Sequence, residues 1–127
     1  VKSGIIYIAN NVFETLFAIS NQEQQRGLMG VNPPPPVMSF LYERPQINKF
    51  WMHRTESPLD ILFCHNGEVK QICFGEPNST AMIGDNQLSD LVIELPFGTT
   101  QLSGIKLGNK VGIVKPSFSE LKKIVGT

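Results

Sequence analysis

The densest run of chemically capable residues is Lys49-Phe50-Trp51-Met52-His53-Arg54-Thr55-Glu56-Ser57-Pro58-Leu59-Asp60, which holds the only tryptophan of the chain. An indole face stacks on planar or apolar groups, imidazole and guanidinium stabilise negative charge, and a carboxylate accepts a proton. On a strand, Phe50 and Met52 share one face and Trp51 and His53 the other. Two readings stand side by side. The run is a core strand with a solvated polar end, or Trp51, His53, Arg54 and Asp60 line a cleft with Trp51 as its stacking floor. Asp60 follows Pro58-Leu59 and opens an apolar strand, so its carboxylate must be paired or hydrogen-bonded. Arg26 and Arg54 are the candidate partners, and a structural ion pair is the more frequent account of such a group.

Other chemistries find less. His53, Cys64, His65 and Cys73 are capable metal ligands, but no C-x-x-C or H-x-x-x-H spacing occurs. Cys64 and His65 are neighbours and point to opposite strand faces. No metal and no cofactor is expected. Ser119 and Lys122 match S-x-x-K by chance, with no second element of that motif. No glycine-rich phosphate loop follows a strand. Lys+Arg is 11 and Asp+Glu is 11. This balance excludes a broad basic field, and no nucleic-acid partner is expected. No apolar run approaches the ~18 residues of a membrane span, so no transmembrane segment is expected in this chain.

The elements that must position these residues are short strands. Gly4–Ala9 and Val12–Ile19 read as a hairpin turning at Asn10-Asn11. Ser20 and Glu23 form a capping box that opens a helix from Asn21 to about Leu28. Pro33–Pro36 is a stiff connector. Further strands are expected over Val37–Tyr42, Lys49–Arg54, Leu59–Cys64, Val69–Phe74, Leu88–Leu95 and Lys110–Lys115, with a turn at Glu43–Gln46 and a possible short strand at Ala81–Ile83. A helical turn capped by Thr99 and a terminal helix from about 118 to 125 complete the chain. Asn66-Gly67 is a hairpin turn that pairs Cys64 with Val69 and Cys73 with Asp60. The two sulfurs then share a face roughly 13 Å apart, too far for a disulfide. Free thiols favour a reducing, cytoplasmic setting. With no βαβ alternation, the fold class is mainly β: one domain over 1–127, a mostly antiparallel barrel or sandwich with short peripheral helices.

Six pieces in order carry a family resemblance: Arg26-Gly27-Leu28-Met29, Met38-Ser39-Phe40, Phe50-Trp51-Met52 with Thr55, Pro58-Leu59-Asp60-Ile61, Val92-Ile93-Glu94-Leu95-Pro96 with Gly98, and Ile105-Lys106-Leu107-Gly108. The chain resembles domain-of-unknown-function family 192 over about residues 12–115. The resemblance implies a single small β-barrel-like domain with a helix after the first strands, and no established activity. It also implies frequent export or membrane anchoring, which fits a start at Val1 and opposes the thiol argument. By position, it marks Arg26, Trp51, Thr55, Asp60 and Glu94. The family's Lys and Asn are His53 and Arg54 here, its Gly is Val37, its Asp is Asn109, and the proline run is unlike its usual loop.

Three functional expectations follow. The leading one is a non-catalytic binding module holding a small polar molecule or peptide in a cleft edged by Trp51, His53, Arg54 and Asp60. The second is a hydrolase with Asp60 as base and His53 or Arg54 stabilising charge, which requires a pocket holding both and a perturbed carboxylate. The third is an assembly protein with an apolar patch and no pocket.

Overall fold

The computed structural model describes residues 2–115. The protein is mainly β; the described residues form seven strands and two short helices in the order β1 (Lys2–Ile8), β2 (Asn11–Ala18), α1 (Asn21–Arg26), β3 (Met38–Ile47), β4 (Leu59–His65), β5 (Glu68–Gly75), β6 (Leu88–Pro96), α2 (Thr99–Leu102) and β7 (Val111–Lys115). They form one sheet ordered β5-β4-β6-β3-β2-β1-β7. All pairings are antiparallel except β2 with β3. The sheet curls into a half-barrel. At one end its two edges meet through Val69 N–H to Asn109 O, 2.9 Å, and Val111 N–H to Gly67 O, 2.9 Å. The expected terminal helix lies outside the described residues.

Period-two alternation gives the sheet two apolar faces. One cluster draws on all seven strands, with Ile6, Phe17, Leu41, Leu62, Val69, Ile93 and Val111 among its members, and so fills the inside of the curl. The second lies on the outer face of the central strands. There Met38, Phe40, Ile61, Phe63 and Val92 are covered by Leu28 and Met52 from the connecting segments. The central strands β3, β6 and β4 are therefore apolar on both faces, as strands between two layers must be.

Four local expectations change. The first hairpin turns one residue earlier, pairing Ile8 with Asn11, with Ala9 at φ 54°. Asn11 Nδ2 instead donates to Ile8 O and to Ser103 O, each at 3.1 Å. Glu43–Gln46 is not a turn. β3 runs through it to Ile47, and its register against β6 shifts between Leu41 and Gln46. Lys49–Arg54 is not a strand, since its backbone bonds run to a loop: Phe50 and Ile83 exchange bonds at 2.9 and 2.7 Å, and Met52 N–H donates to Ser79 O at 2.9 Å. The Asn66-Gly67 hairpin pairs Cys64 with Val69 as expected, but a bulge skips Lys70 and sets Cys73 opposite Ile61 instead of Asp60. The one-residue slip moves Cys73 and Ile72 to the other faces. Cys64 is in the inner cluster, Cys73 packs on the outer one, and both are free thiols.

Candidate functional site

A cavity of about 850 Å³ lies over the outer face of the sheet. Its floor is β3 and β6, with Phe40, Tyr42 and Glu94. One wall is α1 with the turn that follows it; the other is the segment 48–55. The first wall is held by a complete capping box: Glu23 N–H donates to Ser20 Oγ at 3.1 Å, and Ser20 N–H to Glu23 Oε1 at 3.1 Å. Gln24 pins the helix to the sheet, with Nε2 donating to Leu41 O at 2.8 Å and Ala18 O at 3.1 Å. The two walls are joined by Gly30 N–H to Arg54 O at 3.0 Å. Asn48 is buried at the base of the second wall, where Nδ2 donates to Ser89 Oγ at 2.7 Å.

Glu94 is the unusual group. It sits two residues beyond Val92 on the outer face, in a row with Met38 and Ile61. It is 4% exposed. Among the described residues it has neither a hydrogen bond nor an ion pair. Burial pushes its carboxyl up to about 8. Its charge in turn helps burial raise the Tyr42 phenol. Glu94 gains nothing in return, because the phenol is neutral where the carboxyl titrates.

Of the residues singled out from sequence, Arg26, Trp51, Thr55 and Glu94 line this cavity. Arg26 is exposed in the last turn of α1, and Trp51 is 44% exposed at the rim. Thr55 is buried, its Oγ1 donating to His53 O at 3.3 Å. His53 does not line the cavity; its ring lies against that of Trp51, centroids 4.8 Å apart. Arg54 is exposed at φ 54° and serves the wall through its carbonyl.

Asp60 is on the other face of β4, alternating with Ile61. Neither Arg26 nor Arg54 pairs with it. Its Oδ2 accepts from Gly98 N–H at 3.2 Å, Thr100 N–H at 2.9 Å and Thr100 Oγ1 at 2.9 Å. These amides open α2, whose own cap residue is Gly98. Asp60 thus caps α2 across the fold, the role expected of Thr99, whose hydroxyl donates to Pro96 O instead. A carboxylate at a helix start satisfies orphan amides and complements the local dipole.

Sequence reasoning missed Phe40, Tyr42 and Phe50 as cavity residues, because aromatic side chains on a strand pattern read as core. The signal that does single out Glu94 is one carboxylate inside the apolar run Leu91 to Leu95.

Fold and site together define a small curled-sheet protein with a walled, ligand-sized cavity on its outer face. The chain belongs to the DUF192 family, described as an uncharacterized ACR, whose model matches residues 5–113. It is similar to the crystal structure of a protein of unknown function from Novosphingobium aromaticivorans, 28% identical, with a TM-score of 0.81, covering 87% of this chain and 84% of that one. It shares its fold with a putative transcription regulator from Sinorhizobium meliloti, 23% identical, with a TM-score of 0.83, covering 88% of this chain and 94% of that one. No curated protein matches the chain.

Proposed function

We propose that the protein is a binding module that holds a small polar molecule in the outer-face cavity, with Glu94 at its floor and Trp51 at its rim. One observation carries this reading: a buried carboxylate with no partner among the described residues faces an open cavity. An unpaired buried charge is costly, and a bound molecule that supplies the missing donor offsets that cost. Concavity, aromatic lining and a few placed polar groups are what ligand sites share. A hydrolase centred on Asp60 has less support, since its Oδ2 is engaged by three donors on the far face. The assembly reading required no pocket, and the cavity weighs against it.

The test is a fragment screen by thermal shift on the wild type, Trp51→Ala and Glu94→Gln. Hits should lose their shift in at least one variant. Hits indifferent to both changes would place binding elsewhere and overturn the reading.

A further inference from the structure

Four aromatic rings line the same cavity as Glu94: Phe40 and Tyr42 from β3, and Phe50 and Trp51 from the wall above it. Phe40 and Phe50 meet edge to face, centroids 4.8 Å apart. Phe50 meets Phe63 in the same way at 5.8 Å. The positions of Phe40 and Phe50 are therefore fixed by packing before any ligand arrives. Ring faces carry negative potential, and so does an ionised carboxylate. An anionic guest is repelled by both once Glu94 is ionised, and a neutral guest gains contact area and at most a hydrogen bond to the carboxyl. A cation gains from both at once.

Among the described residues no cation pairs with Glu94, although Arg26 and Lys49 stand on the cavity walls. Arg26 and Lys49 are both exposed. Lys49 Nζ donates to Gly84 O at 2.9 Å instead. An inorganic cation fits poorly, since hard cations favour several charged oxygen ligands and Glu94 is the only carboxylate lining the cavity among the described residues. A cation that carries its own apolar surface fits both parts of the lining.

We propose that the cavity takes an organic ammonium group, primary or methylated, with its charge on Glu94 and its carbon atoms against Phe40, Tyr42, Phe50 and Trp51. This assignment rests on the binding reading above and names its ligand class. The group can come from a free small amine or from a lysine side chain of a peptide. The raised Glu94 carboxyl agrees with it. Below pH 8 the arriving ammonium ionises Glu94, and binding releases up to one proton. Among the described residues, Tyr42 on the floor, and Arg26 and Lys49 on the two walls, are the other titratable side chains lining this cavity.

The test is calorimetric titration of the protein with choline, n-butylamine and N-acetyl-trimethyllysine methylamide. Each is set against an uncharged counterpart: 3,3-dimethylbutan-1-ol, butan-1-ol and N-acetylnorleucine methylamide. At least one ammonium compound should bind roughly tenfold tighter than its counterpart, a difference of about 1.4 kcal/mol. Preference for the lysine derivative over choline and butylamine assigns the peptide source; the reverse order assigns the free amine. Glu94→Gln should erase the preference for charge. Trp51→Ala, at an exposed position, should weaken the ammonium compound without erasing that preference. Counterparts that bind as tightly as the ammonium compounds would overturn the ammonium assignment and leave the cavity reading standing. Failure of all six probes, alongside fragment hits that depend on Trp51 or Glu94, would do the same. Failure of all six with no such fragment hits would overturn both.

Discussion

Replacing Glu94 by Gln turns a titrating buried carboxyl into a neutral group of the same shape. Burial pushes that carboxyl from its ordinary 4.5 to about 8. Between these values the folded chain holds a proton that the unfolded chain has released, so wild-type stability falls as pH rises. At 1.36 kcal/mol per pH unit, the loss reaches about 5 kcal/mol above pH 8 and about 3 kcal/mol by pH 7. Below pH 4.5 both states are protonated and the loss vanishes. Water admitted by the cavity solvates part of the charge, so the expected loss is at least about 2 kcal/mol at pH 8.5. Gln carries a constant cost for its own unpartnered amide, about 1–3 kcal/mol, which does not vary with pH. The readout is the difference between the two proteins in urea unfolding free energy at pH 5, 7 and 8.5. Titrations common to both cancel in that difference. It should move in favour of Glu94→Gln by at least about 2 kcal/mol from pH 5 to pH 8.5. Parallel pH–stability curves would refute the reasoning, because they would mean that the carboxylate ionises as easily in the folded chain as in the unfolded one.

Asp60→Ala strips the acceptor from two amides and a hydroxyl at the start of α2 and should cost about 2–3 kcal/mol in chemical denaturation. It should leave thermal-shift responses of the outer-face cavity unchanged, since Asp60 lies on the opposite face. Ser20→Ala removes half of the capping box of α1 and should cost about 1 kcal/mol, measured by urea unfolding. Burial pushes the Cys64 thiol up to about 12 and raises Cys73 less severely. A thiol-titration reagent at pH 8 should therefore label Cys73 slowly in the folded protein and Cys64 only after unfolding, as read by peptide mass mapping.

The parts of the fold that were legible in the sequence are those decided within a few residues. The Asn66-Gly67 turn needs positive φ at two neighbours, and both have it, at 52° and 71°. The Ser20–Glu23 box closes over three residues. What was not legible depends on partners far along the chain. Lys49–Arg54 carries a strand-like pattern, yet its backbone bonds go to residues 79 and 83. Asp60 was read as needing a partner, and it has one. That partner is a set of backbone amides 38 and 40 residues away, not an arginine. Side-chain types can announce the need for a partner, but an amide donor has no side-chain signature. Among the candidate residues, Glu94 was marked by the family resemblance, and its place in an apolar run is the physical signal that agrees with it. The rings around it were hidden because a ligand wall and a hydrophobic core draw on the same residue types.

The parallel pairing of β2 beside β3 has a topological cost and a benefit. Antiparallel neighbours can be joined by a two-residue turn, whereas parallel neighbours need a connection that travels back along the full strand. Here that return path is residues 19–37, which carry α1 and the four prolines. Because it crosses over the outer face, this wall of the cavity is a by-product of how the sheet is wired, not an appendage to it. Trimming this crossover to a short loop would unpair β2 from β3 and break the sheet in its middle. The side chains along it, by contrast, are free to change wherever they bear on the cavity alone. Such a layout keeps a hollow in place through sequence drift while letting its chemical preference be rewritten one rim residue at a time.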